Sequence, residues 1–346
     1  MPEKMKALAK LRPGEGLELI ETEVPRIGPR DVLVKVLATA ICGTDLHIYN
    51  WDEWSQGRIK PPLVTGHELA GEVVEVGKEV TRTKVGDYVA AESHFVCGLC
   101  FQCRNGLRHY CQDAVILGVD VQGCFAQYAR IPVKSIWITD RAIPPHVACL
   151  QEPMGNAMYT VTEGRVSAKS VLITGCGPFG LFAVGIARSF GASQILAVEP
   201  NPFRADLARK MGADVVIDPT REDLVARAKE LTGGEGVDVL LELSGNAAAI
   251  EGGFAALKNG GHVSLFGLPK GRVTLDLTDE IIFKGAHVKG IHGRKIWETW
   301  YQVTDLLRLS RIDVEPIVTH RFPLEEFEKG MALMRQGDCG KIVLTP

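Results

Sequence analysis

The hydrophobic and polar positions divide the chain into two textures. From residue 5 to about residue 150, apolar residues come in short, β-branched runs. Val32-Leu33-Val34-Lys35-Val36-Leu37 and Gly71-Glu72-Val73-Val74-Glu75-Val76 alternate or run on, and glycine and proline punctuate them closely, at Gly28-Pro29, Pro61-Pro62, Gly77 and Gly86-Asp87. Long helical periods are missing here. The pattern predicts a compact β domain with functional loops. Near Pro153 the texture changes. From about Lys169, strands predicted at 171–174, 195–199, 215–217, 239–243, 262–266 and 287–291 have helices between most of them, at 180–190, 203–211, 221–231 and 246–257. That alternation predicts an α/β fold with a parallel, doubly wound sheet. After Gly293 the chain predicts a longer helix at 296–309, a strand at 317–320, a helix at 323–335 and a strand at 341–344. This tail breaks the alternation and is expected to pack back on the first domain. The expected domains are therefore 1–153 with 296–346, and 154–295.

The run Val171-Leu172-Ile173-Thr174 leads straight into Gly175-Cys176-Gly177-Pro178-Phe179-Gly180, and a helical pattern follows. Strand, G-x-G-x-x-G turn and helix, in that order, suit a dinucleotide pyrophosphate. The first glycine permits the tight turn, the second lets the backbone approach the phosphates, and the third lets helix and strand pack closely. Gly175, Gly177 and Gly180 are thus expected cofactor contacts, and Phe179 is expected to touch the cofactor through its backbone. Glu199 follows the second strand, nineteen residues beyond Gly180. A carboxylate there accepts from the adenosine ribose hydroxyls and repels a 2′-phosphate, which favours NAD over NADP. Arg204 is the counter-argument, since arginine can receive that phosphate; it is assigned to the adenosine side. Phe266-Gly267-Leu268 and Ile291-His292 end the fifth and sixth strands, and strand C-termini face the crevice of such a sheet. Those backbones are expected to line the nicotinamide.

Composition narrows the class. At 346 residues, a size of roughly 150 residues per domain suggests two domains. Apolar content of 46% and charged content of 23% leave ample core. A net charge of −3 gives no basic field for nucleic acid. The apolar runs are short and interrupted by charge, so no membrane span is expected. Met1-Pro2-Glu3-Lys4-Met5-Lys6 lacks the apolar core of a signal peptide, and a cytoplasmic location follows as the expectation.

Four of the nine cysteines fall within fifteen positions, which in a reducing compartment points to metal rather than disulfides. Cys97, Cys100, Cys103 and Cys111 are separated by two, two and seven residues. Four sulfurs leave no open position, so the expected site is structural zinc. An iron–sulfur cluster is the chemical alternative, but nothing else in the chain suggests single-electron chemistry. A second set is Cys42-Gly43-Thr44-Asp45-Leu46-His47, expected in a loop after a strand ending near Ala38, with Gly66-His67-Glu68. Cys42, His67 and Glu68 supply a thiolate, an imidazole and a carboxylate, suited to zinc with an open fourth position. Glu152, where the domains are expected to join, is a second carboxylate, and Cys149 is its rival in the same segment.

These motifs, in this order and over almost the whole chain, resemble the zinc-dependent medium-chain dehydrogenases. Ala40-Ile41-Cys42-Gly43-Thr44-Asp45-Leu46-His47, Glu92-Ser93-His94, Glu152-Pro153-Met154-Gly155-Asn156-Ala157, Gly290-Ile291-His292-Gly293-Arg294 and Trp297-Glu298-Thr299-Trp300 are similar to the L-threonine 3-dehydrogenase branch of that family. The resemblance implies a β-rich GroES-like catalytic domain and a Rossmann NAD domain, with two Zn2+ per subunit, one catalytic and one structural. It implies oxidation of L-threonine at its side-chain hydroxyl, with NAD, to 2-amino-3-oxobutanoate, in a cytoplasmic homotetramer.

By the same resemblance, Cys42, His67 and Glu68 hold the catalytic zinc, where other alcohol dehydrogenases of this fold often add a second cysteine. Glu152 stands near that place. It joins the ligands, exchanges with Glu68 or relays a proton through a bound water, and the sequence leaves the three open. Thr44 and His47 match the family's proton relay: a hydroxyl donates and accepts, and imidazole is the side chain that titrates near neutral pH. His94 and Arg294 are the expected polar contacts of an amino-acid substrate. Two other readings stand beside this one. One is a polyol or secondary alcohol dehydrogenase, acting on sorbitol or 2,3-butanediol. The other is a non-catalytic NAD sensor, against which the intact set of Cys42, Thr44, His67 and Glu68 argues.

Overall fold

Asp31–Ile41, the valine-rich run of the sequence, forms an eleven-residue strand that is the hub of a seven-stranded sheet. Glu68–Val76 pairs antiparallel along one side. The other side is shared: Tyr128–Pro132 pairs with Asp31 to Lys35, and Lys341–Thr345 pairs with Thr39 to Ile41. Val32, Val34 and Val36 are buried with Leu69, Val73, Val89, Ala129 and Ile131, and Leu33 on the other face is buried too, so the strand is covered on both sides. A second core joins Ile48, Tyr49 and Phe125 to Leu324, Phe327, Met331, Ile342 and Leu344. The short strands His94–Phe95 and Val115–Ile116 pair antiparallel and frame the cysteine lobe.

The structure is a computed structural model and describes residues 2–346. It divides into two units. One contains the residues up to Pro153 together with Val318–Pro346, and the other is Met154–Ile317.

The second unit has six strands, all parallel. Their spatial order is Val215–Ile217, Gln194–Val198, Ser170–Thr174, Val237–Glu242, Leu257–Leu265, His287–Gly290. In chain order that is 3-2-1-4-5-6, the order of a dinucleotide-binding sheet, with its switch point between Ser170–Thr174 and Val237–Glu242. Leu172, Leu196, Leu240 and Val263 of the strands pack against Leu224, Ala228, Ile250 and Phe254 of the helices.

Three local differences from the sequence reading have physical causes. Cys42 does not sit in a loop. The strand runs to Ile41, and Cys42 caps the helix Gly43–Asn50. The Asp45 carboxylate accepts the Cys42 amide at 2.9 Å and closes the cap. Eight residues without an apolar stripe give no helical period to read. The helix Gln151–Gly164 is not among the predicted elements, and Pro153 falls in its first turn. Proline in the first helical turn lacks only an amide that would have no intrahelical partner. Finally, residues 296–317, expected with the first domain, pack in the second unit. Ile312 lies against Gly185, and the Ser189 hydroxyl donates to the Arg311 carbonyl at 2.8 Å. The return to the first unit begins at Val318.

Among the described residues, no helix is long and apolar enough to cross a membrane.

Candidate metal centres and cofactor turn

The four lobe cysteines converge, their sulfurs all within 4.8 Å of one another. Cys111 Sγ lies 3.5 Å from Cys97 Sγ and 3.8 Å from Cys100 Sγ. The amides of Leu99 and Cys100 donate to Cys97 Sγ at 3.4 and 3.3 Å, which orients that sulfur as an acceptor. The Cys103 and Gln112 amides hold the Cys100 thiol down, to about 6, while burial pushes Cys103 up to about 12. Thiols this close cannot all ionise side by side unless a cation sits among them. The set fits a closed, four-sulfur metal site.

The second cluster is assembled from three places in the first unit. Cys42 comes from the helix cap, His67 from the turn before Glu68–Val76, and Glu68 from that strand's first position. One ligand atom from each lies within 4.8 Å of the others, and all three residues are buried. His67 Nδ1 has no hydrogen-bond partner; Asp45 Oδ1, also without one, is 3.8 Å away. Burial alone would lower the His67 pKa, but Asp45, Cys42 and Glu152 together raise it to about 10. So much negative charge around one imidazole makes the cluster cation-seeking, and the donor set fits zinc. At 3.8 Å the Asp45 carboxylate is beyond hydrogen-bond distance and acts on the His67 ring through its charge. Burial pushes Glu68 up to about 7, against the pull of Lys341.

Glu152 lies in the first turn of the helix Gln151–Gly164, and its Oε1 accepts from the Ser93 hydroxyl at 2.5 Å. Ser93 Oγ is 3.1 Å from His94 Nδ1, and the His94 amide donates to Glu92 Oε1 at 2.8 Å. Thr44 and His47 lie on the helix that Cys42 caps. His47 is exposed, and its Nδ1 is hydrogen-bonded to the Asp52 carboxylate.

In the second unit the glycine turn has the geometry its motif predicts. Gly175 takes φ +83°, and Gly177 caps the helix Pro178–Ser189. A methyl group on Gly180 would stand 1.9 Å from the Gly175 carbonyl oxygen, so only glycine permits this approach. Glu199 accepts the Cys176 amide at 2.9 Å with one oxygen and the Asn201 amide at 2.9 Å with the other. It therefore steadies the glycine turn as well as facing it. The Asn201 side chain caps the following helix at the Arg204 amide. Phe179 and Phe266 meet edge to face, 5.0 Å between ring centres. Leu268 is exposed, its backbone lies against Gly245, and the Ile291 amide donates to the Leu265 carbonyl. His292 is exposed. Arg294 is buried, with Nη1 3.2 Å from Asn156 Oδ1.

Comparison with known proteins gives these clusters a family. Residues 28–140 match the alcohol dehydrogenase GroES-like domain, and residues 178–308 match the zinc-binding dehydrogenase domain. An L-threonine 3-dehydrogenase of Pyrococcus horikoshii is 52% identical over 99% of both chains. The chain belongs to the L-threonine 3-dehydrogenase family of zinc-binding medium-chain dehydrogenases. Among solved structures, a zinc-binding dehydrogenase of Sinorhizobium meliloti bound to NADP is 27% identical, with TM-score 0.92 over 100% of each chain. The 2R,3R-butanediol dehydrogenase of Bacillus subtilis is 28% identical, with TM-score 0.89 over 99% of each.

Some residues of this dehydrogenase that shape the sites escaped sequence reasoning. Asp45 was within reach, because a carboxylate three positions after Cys42 is a capping signal. Lys341, which binds Glu68, gave no local signal at all.

Proposed function

We propose that this chain catalyses the NAD-dependent oxidation of L-threonine at its side-chain hydroxyl, giving 2-amino-3-oxobutanoate. The carrying observation is the 52% identity, end to end, with an L-threonine 3-dehydrogenase. The buried Cys42, His67 and Glu68 cluster supports it on chemical grounds.

Cys42, His67 and Glu68 would hold the catalytic zinc, and Cys97, Cys100, Cys103 and Cys111 the structural one. When bound, zinc supplies a Lewis acid that makes a hydroxyl more acidic, and NAD supplies the hydride acceptor. The chain's own residues do the rest. Asp45 places a negative charge beside the His67 ring. The substrate carbon gives up its hydride, and the hydroxyl proton leaves by way of Thr44 and His47. Asp52 fixes His47 Nδ1, which leaves Nε2 to take and release that proton. Glu152, whose Oε1 accepts from the Ser93 hydroxyl, would join the ligands, exchange with Glu68 or relay the proton through a bound water. His94 is the proposed polar contact of the amino acid. Arg294, 3.2 Å from Asn156 Oδ1, is the other proposed polar contact.

Gly175, Gly177, Phe179 and Gly180 would cradle the pyrophosphate. Glu199 would bind the adenosine ribose, with Arg204 beside it, and Phe266, Gly267, Leu268, Ile291 and His292 would border the nicotinamide. We also propose a cytoplasmic homotetramer. Four cysteines gathered for metal suit a reducing compartment. Leu99 and Phe101, 71% and 70% exposed on the cysteine lobe, suit association between copies.

The likeness to a butanediol dehydrogenase favours one second reading, a polyol or secondary alcohol substrate. Following NADH absorbance with NAD and a substrate panel decides between them. Threonine is expected to reduce NAD; turnover of 2,3-butanediol or sorbitol but not threonine would reject the proposal.

A further inference from the structure

Glu242 ends the strand Val237–Glu242 and is completely buried. Its two carboxylate oxygens differ sharply. Oε1 accepts from the amides of Ser244 and Gly245 at 2.8 and 2.9 Å, and from the hydroxyls of Ser244 and Thr174 at 2.5 and 3.3 Å. Oε2 is buried and has no hydrogen-bond partner. Among the described residues, no basic side chain pairs with either oxygen. A buried carboxylate with no cation beside it is expensive, and such groups usually find a counter-ion.

Its surroundings indicate where that counter-ion comes from. The main-chain oxygen of Glu242 accepts the amides of Phe266 and Gly267 at 2.9 and 3.1 Å. The bare Oε2 faces Gly267: a methyl group there would lie 2.6 Å from it and 2.2 Å from the Gly245 nitrogen. Ser244 in turn packs on Gly175, the first glycine of the cofactor turn. One carboxylate therefore underlies three adjacent strand ends, those of Ser170–Thr174, Val237–Glu242 and Leu257–Leu265. If Phe266 to Leu268 border the nicotinamide, as proposed above, a positive charge arrives there in one form of the cofactor only. The oxidised ring is a cation, and hydride transfer makes it neutral.

We propose that Glu242 keeps a buried charge unpaired in the free protein so that the site favours the oxidised nicotinamide over the reduced one. Glu242 acts through its field and through Ser244, Gly245 and Gly267, so it is a positioning residue rather than a catalytic one. The proposal rests on the reading of this unit as the NAD site.

Glu242→Gln separates charge from architecture, because the amide oxygen still accepts from Ser244, Gly245 and Thr174. Dissociation constants for NAD and for NADH are measured by fluorescence titration on the full-length, zinc-loaded protein. NAD should weaken about tenfold while NADH changes by less than about twofold, the signature of a charge effect on one redox form. Equal weakening of both, or no change in either, would show a purely structural clamp and overturn the proposal. Should the Gln variant fail to fold, Glu242→Asp keeps the charge and gives up the Oε1 bonds. Both constants should then rise with their ratio held within about twofold of wild type, and a shifted ratio overturns the proposal. A wild-type protein that binds neither nucleotide would reject the cofactor reading itself, and the proposal with it.

Discussion

Lys341 gives its ammonium protons to fixed acceptors, and two of the bonds go to the two oxygens of Glu68, at 2.5 and 2.6 Å. The third acceptor is the Ile41 carbonyl at 3.2 Å. The lysine side chain is 1% exposed and the glutamate 0%. Breaking such a pair strands a buried charge, whereas removing both partners together is close to neutral. Lys341→Met should therefore cost about 3–5 kcal/mol in chemical denaturation, and Lys341→Met with Glu68→Gln should recover most of the loss. A single variant as stable as wild type would contradict the pairing.

Cys100→Ala should remove one zinc and spare the other. Metal analysis is expected to fall from two zinc per chain to one, with a lower melting temperature. Loss of both metals would show that the two clusters are not separate sites.

Glu199→Ala removes the proposed acceptor for the adenosine ribose and a brace from the Cys176 amide. Hydrogen bonds to a charged group are worth about 1.5–3 kcal/mol, so KM for NAD should rise by about tenfold or more. Discrimination against NADP should fall with it. Unchanged exclusion of NADP would take selectivity away from Glu199.

Gly180→Ala forces a carbon to within 1.9 Å of the Gly175 oxygen unless the helix moves. Overpacking of this kind costs about 1–3 kcal/mol. NADH binding should weaken strongly while the circular dichroism of the protein is kept. An Ala variant that binds NADH like wild type would show that the close approach has no role.

Acid stability should depend on Asp238. Burial would raise its carboxyl, but Lys258 and the Ser170 amide and hydroxyl outweigh that and hold it below the ordinary 3.8. A carboxylate with a depressed folded pKa stabilises above the unfolded value, and the benefit fades as pH falls through the folded one. Wild type should therefore lose more stability than Asp238→Asn when the pH is lowered from 5 towards 3. Parallel losses of the urea midpoint in the two proteins would reject the assignment.

Much of the second unit was legible because its signals are local. The strand 215–217 is read to the residue, and the glycine turn carries its own spacing. The two metal clusters were legible for a different reason: their residue types are rare and specific enough to be grouped without knowing the fold. What escaped depended on distant partners or on short elements. Lys341 meets Glu68 across 273 positions, and Glu242 shows its significance only once three strand ends are seen together. The helix Gly43–Asn50 is set by one cap rather than by a period. The stretch 296–317 was misplaced because its anchors, Ile312 on Gly185 and Arg311 on Ser189, are tertiary.

The separation of Glu68 from Lys341 also has a meaning in time. A ribosome works at about 5–20 residues per second, so the glutamate waits roughly 14–55 s for its lysine. The whole stretch Met154–Ile317 is made in that interval. Cys42, His67 and Glu68 are thus all synthesised before Lys341. Until Lys341 is made, an incoming zinc ion would meet Glu68 without competition from that ammonium.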